Sequence, residues 1–145
     1  MKKLGIVLYS FLCAWYILGY FGTPLTIKVD VTQFSIGTIL LFFLLLGLVG
    51  YWRKWTYADL SALAVVVIWG INQYYEHWQP LIYGASPGRV RHYNEYFKGT
   101  IRIFVERQDR IVPDVYHIVI GLLIVSCSIV LFINLIRVII KQTKK

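Results

Sequence analysis

The sequence predicts an all-α membrane protein: a four-transmembrane-helix bundle with a structured extracytoplasmic loop between helices 3 and 4. Three observations predict it. Hydrophobic residues fill 58% of only 145 positions, more apolar surface than a water-soluble chain of this size can hide. Four predominantly apolar stretches, 4–21, 34–51, 57–78 and 113–140, approach the roughly 20 residues needed to cross about 30 Å of hydrocarbon. Aromatic residues crowd their ends, at Tyr16 and Tyr20, in the YWRKW run of 51–55, and at Tyr74, Tyr75 and Trp78, as in an interfacial belt.

The first span follows Lys2 and Lys3 in the manner of a signal peptide. The LGYFG run at 18–22 carries no small-residue cleavage pattern, so a retained helix is expected. Cys13 and Cys127 fall mid-span without a CxxC pair, which indicates neither a disulfide framework nor a thiol redox motif. The loop at 22–33 contains TIKVDV, which alternates like a strand. In the second span the run LLFFLLLGLVG must be helical, because lipid offers its backbone no partners. The basic turn at 52–56 is so short that the second and third helices must be antiparallel neighbours. The third span opens on TYAD at 56–59, which predicts a capping box with Thr56 as cap and Asp59 returning the hydrogen bond. Polar residues inside the spans reduce to Asn72, Gln73, Asn134 and a few serines. The scarcity of ionisable groups there argues against a pump or coupled transporter. Ser10 with Ala14, and Ala58 with Ala62, have the spacing of small residues at helix contacts, across which Asn72 or Asn134 can hydrogen-bond.

The loop at 79–112 is too long to lack structure. Ser86 and Pro87 form a helix start and Gly99 a stop, with Val90, Tyr93 and Phe97 on one face and Arg89, His92, Glu95 and Lys98 elsewhere. A short amphipathic helix follows. The alternation in TIRIFV at 100–105, a turn at 106–109 and a return at 110–112 suggest a small hairpin. Pro113 and Asp114 then read as the first turn of the fourth span. At about 1.5 Å per residue, 113–140 would reach roughly 42 Å, so its start must rise into the loop cap or the helix must tilt. Asp114 and His117 are therefore expected beside the loop arginines and near His77. Both termini are expected to be cytoplasmic, because Lys2, Lys3, Arg53 and Lys54 sit tight against helix ends, although the Lys and Arg counts on the two sides nearly tie.

The functional expectation is a non-enzymatic small membrane protein, a subunit or accessory factor whose Arg/Tyr-rich cap docks a partner protein or an anionic ligand. Arg89, Arg91, Tyr93, Arg102, Arg107, Arg110 and Tyr116 are the binding candidates, since guanidinium forks suit carboxylate and phosphate. Pairing with Glu95, Glu106, Asp109 and Asp114 is the competing structural reading. A membrane enzyme would use His117 or His92 as base with Asp114 or Glu95 as orienting partner. A redox subunit with haem, metal or quinone would draw on His77, His92 and His117. Small size and basic charge also suffice for an immunity-type protein against a pore-forming toxin. No cofactor is expected, because no nucleophile motif, phosphate-cradling loop or zinc signature is present. The expected partners are lipids and either another membrane protein or further copies of the chain. Nucleic acid is not expected, because most of the net charge of +8 flanks the spans.

Overall fold

The computed structural model describes residues 2–19, 36–55 and 57–143, so the strand-like loop at 22–33 and the cap residue Thr56 lie outside the described chain. The described residues are helical or irregular, with no strand among them. In order, the helices are α1 (Lys2–Leu18), α2 (Ile36–Trp52), α3 (Ala58–Gln73), α4 (Gln79–Tyr83), α5 (Pro87–Tyr96) and α6 (Val115–Thr143). A π-turn, Tyr74–Trp78, joins α3 directly to α4. By length and composition one helix, Val115–Thr143, is long and apolar enough to cross a membrane. Of the other expected spans, α1 and α2 are apolar helices of 17 residues each, and the third is divided by the π-turn.

The four long helices pack in a closed order, α1 on α2, α2 on α3, α3 on α6 and α6 back on α1. Each contributes a stripe at helical spacing: Tyr9, Leu12 and Cys13 from α1, Leu44 and Tyr51 from α2, Ala62, Val66 and Trp69 from α3, and Tyr116, Ile120, Ile124, Cys127 and Leu131 from α6. Ala58 and Ala62 are buried as expected, whereas Ala14 faces outward. Closer approach comes from glycine. A Cβ on Gly121 would lie 2.8 Å from Cζ2 of Trp78, so the bare position lets the π-turn indole lie against α6. Asn72 is exposed, and among the described residues Nδ2 of buried Asn134 and Oε1 of buried Gln73 have no partner.

Two local expectations are corrected. The carboxylate of Asp59 accepts the Tyr51 hydroxyl at 2.6 Å, and the N-cap position of α3 is Tyr57, with no side-chain cap bond. Tyr51 ends α2 beside the start of α3, so this bond ties the two helices across their turn. The hairpin after Gly99 is also absent. Ile101, Ile103, Phe104 and Val105 are exposed, and a hairpin without an apolar face to bury has little to hold it. The segment is instead tethered at single points, by Val115 N–H donating to the Ile101 carbonyl at 2.9 Å and Ala85 N–H to the Asp109 carbonyl at 2.9 Å. Gly84, at φ 89°, makes the second tether possible, since a side chain there would press on the Asp109 carbonyl.

The turn after α2 closes as a Schellman motif: Trp55 N–H donates to the Gly50 carbonyl at 3.0 Å and Lys54 N–H to the Tyr51 carbonyl at 3.2 Å. The left-handed position of that motif is ordinarily glycine. Here it is Lys54, at φ 56°, a conformation costing an L-residue about 1–2 kcal/mol.

Candidate functional site

The polar centre of the molecule is where α6 begins. Pro113 lies before the helix and Asp114 is its N-cap, so α6 starts at Val115, two residues later than the start at 113 expected from the sequence. Asp114 Oδ1 accepts the His117 backbone N–H at 3.0 Å, the bond from cap to third helical residue, and the His117 imidazole Nδ1 at 2.6 Å. The side chain is fully buried. His77, carried by the π-turn, stacks on His117 with ring centroids 3.9 Å apart and an interplanar angle of 31°. Its Nδ1 lies 3.0 Å from the hydroxyl of Tyr93 on α5. Burial first, then the Asp114 charge, pushes the Tyr93 phenol above its usual range, with Arg102 pulling the other way. The phenol therefore stays protonated and can donate to a neutral His77 Nδ1. A chain Asp114–His117–His77–Tyr93 thus links α6, the π-turn and α5.

Phe97 and Tyr116 wall the two imidazoles edge-on, at 5.0 and 5.2 Å from His117. Arg102 closes the other side of Tyr93, its guanidinium 5.9 Å from the ring centre. Its Nη1 donates to Asn94 Oδ1 at 2.9 Å and pairs with Glu106 at 2.6 Å. Two buried atoms of opposite polarity, Asp114 Oδ2 and Arg102 Nη2, have no partner among the described residues.

The arginines divide by role. Arg110 donates to the Leu81 and Ile82 carbonyls at 3.3 and 3.1 Å, satisfying the open end of α4, and pairs with Asp109. Arg89 reaches the Tyr75 carbonyl of the π-turn at 3.0 Å and pairs with Glu76 at 3.2 Å. These two hold the cap, and Arg102 is buried in it. Arg107 gives only Nε to Asp109, at 3.1 Å, and Arg91 has no ion pair among the described residues. Both line an open cleft of about 530 Å³ with Pro87, Val90, Asn94, Glu106 and Gln108.

Several expected site residues are placed elsewhere. His92 and Glu95 lie on the exposed face of α5, away from the buried histidines. Among the described residues no group of three His, Cys, Asp or Glu is positioned to hold a metal ion. The His77 and His117 rings are in direct contact. Tyr116 belongs to the core: its ring stacks on Trp15 at 6.0 Å, its hydroxyl donates to the Tyr16 carbonyl at 3.3 Å, and its carbonyl accepts Trp15 Nε1 at 3.2 Å. Tyr93 is likewise buried rather than presented to a partner. The sequence reading missed Asn94 and Gln108 in the cleft, and the His77–Tyr93 bond, for which the one available signal was Tyr93 on the apolar face of its helix. Comparison with protein-family models, with curated proteins and with solved structures finds no match to this chain.

Proposed function

We propose that the chain is a multi-pass membrane protein whose four long helices cross the bilayer, with both termini cytoplasmic, and that it acts by binding through its cap. The membrane part rests on the outward faces. Leu4, Val7 and Phe11 on α1, Phe42 and Phe43 on α2, Val67, Ile68 and Ile71 on α3, and Leu122, Val125, Ile129 and Phe132 on α6 are all exposed. An apolar belt of this extent has no place in water. Helices of 17 residues are at the short end of the spanning range, and helical chain runs from α3 through the π-turn to Tyr83 without a break.

One observation favours binding over catalysis: the chemically versatile groups are committed to holding the cap, while Arg91 and Arg107 are left to an open cleft. Asp114 caps a helix and fixes His117, His77 is bonded to Tyr93, and Arg89, Arg102 and Arg110 are paired or cap carbonyls. The cleft suits an anionic group, a carboxylate or phosphate presented by a partner, with Asn94 and Gln108 as additional donors. Glu106 on its rim would set register by repulsion.

A photo-crosslinker attached at Gln108→Cys, in a chain with Cys13→Ala and Cys127→Ala, is expected to form a defined adduct in the native membrane. Adding Arg91→Ala and Arg107→Ala should cut the adduct yield about tenfold or more, the effect of losing charge-assisted hydrogen bonds, with the melting temperature unchanged. An adduct indifferent to both arginines contradicts the binding assignment.

A further inference from the structure

The end of the molecule opposite the cap holds a second cavity, about 520 Å³, lined by Lys3 and Ile6 of α1, Tyr51 and Trp52 of α2, Lys54 and Trp55 of the turn, and Ala58 and Asp59 of α3. We propose that it is a headgroup site for an anionic phospholipid, with the phosphodiester between the ammonium groups of Lys3 and Lys54 and the glycerol and first acyl carbons against Ile6, Trp52 and Trp55. The proposal rests on the membrane reading above.

Three observations carry it. Neither lysine forms an ion pair among the described residues, although a carboxylate lines the same cavity. That carboxylate, Asp59, is occupied by the Tyr51 hydroxyl at 2.6 Å. It still lowers the positive potential, leaving a modest net attraction suited to a singly charged phosphodiester. Second, Lys54 takes the left-handed position of the Schellman turn, where glycine would be unstrained, and so puts a cation on the cavity wall at the expense of the fold. Third, the wall beside it is apolar and aromatic: the Trp55 ring lies over Gly50, where an added Cβ would stand 3.0 Å from its Cε3, and Trp52 is exposed. Free phosphate has no use for such a wall. A phospholipid has a use for both halves, and Trp with Lys is the residue pair of the headgroup level.

The test uses the full-length chain purified in mild detergent and read by native mass spectrometry with phosphatidylglycerol and phosphatidylcholine in equal amounts. The expected result is retention of phosphatidylglycerol over phosphatidylcholine, undisturbed by millimolar inorganic phosphate. Lys54→Gly should lower that retention about fivefold, the fold-change of one near-surface cation, while raising the melting temperature by relieving the turn; Lys54→Arg should keep the retention. Equal retention of the two lipids by the parent chain, or a Lys54→Gly chain that retains phosphatidylglycerol as strongly as the parent does, overturns the site. Displacement of the lipid by inorganic phosphate overturns the lipid assignment in favour of a soluble anion. A chain that stays soluble and monodisperse without detergent sinks the membrane reading itself, whereas one that needs detergent but shows no lipid preference sinks this site alone.

Discussion

Asp114→Ala is expected to destabilise the protein by about 3 kcal/mol, because one side chain serves both as the cap of α6 and as the partner of the His117 imidazole. The methyl group replaces a carboxylate with no water access and leaves His117 Nδ1 without its partner in a site walled by Phe97 and Tyr116. Asp114→Asn keeps an oxygen able to cap the helix, so it should lose only about 1 kcal/mol. Denaturation of the purified protein in mild detergent, followed by circular dichroism, measures both. If the alanine variant proves as stable as the parent chain, Asp114 is not holding the cap, and the polar chain would have to be kept for some other purpose.

Trp69→Ala should lose about 3–5 kcal/mol in the same measurement. The indole is almost fully buried where α1, α3 and α6 meet, and Tyr16 meets it edge-on with ring centroids 4.6 Å apart. If the bundle sits in lipid as proposed, its stabilisation is mainly van der Waals packing, so an uncollapsed cavity there forfeits most of it. Phe11→Ala is the contrast. Phe11 is 56% exposed, and if its outer face meets lipid, the ring leaves one apolar surrounding for another and stability barely changes. A large loss at Phe11 would place that ring in an interface instead.

The helices and the amphipathic cap segment were legible because they depend on local pattern. Ser86, Pro87, Val90 and Tyr93 announce α5 by cap, ring constraint and periodicity, and the structure uses each in that role. The approach of His77 to His117 was legible too, because the last turn of one long apolar stretch and the first turn of the next must meet at one end. What was not legible depended on choices between partners. Asp59 satisfies the form of a capping box, yet Tyr51 reaches its carboxylate, and a spacing rule is blind to a neighbour from another helix. TIRIFV alternates like a strand, but alternation becomes a sheet only where something covers one face, and Ile103 and Val105 are uncovered. The π-turn at Tyr74–Trp78 left no composition signal. The arginines looked alike in sequence. Their division into Arg110 and Arg89 on helix carbonyls, Arg102 buried, and Arg91 and Arg107 on the cleft came only with the fold.

The most direct test is the sidedness of three exposed positions, Arg53 in the turn after α2, Gln108 in the cap and Gln142 at the end of α6. Each is changed to cysteine singly, with Cys13→Ala and Cys127→Ala, and exposed to a membrane-impermeant maleimide before and after permeabilisation. The expected result is labelling of Gln108→Cys in intact cells and of Arg53→Cys and Gln142→Cys only after permeabilisation. Labelling of Arg53→Cys and Gln108→Cys from the same side would contradict a third crossing between them and, with it, the four-span architecture on which the cap and both proposed sites depend.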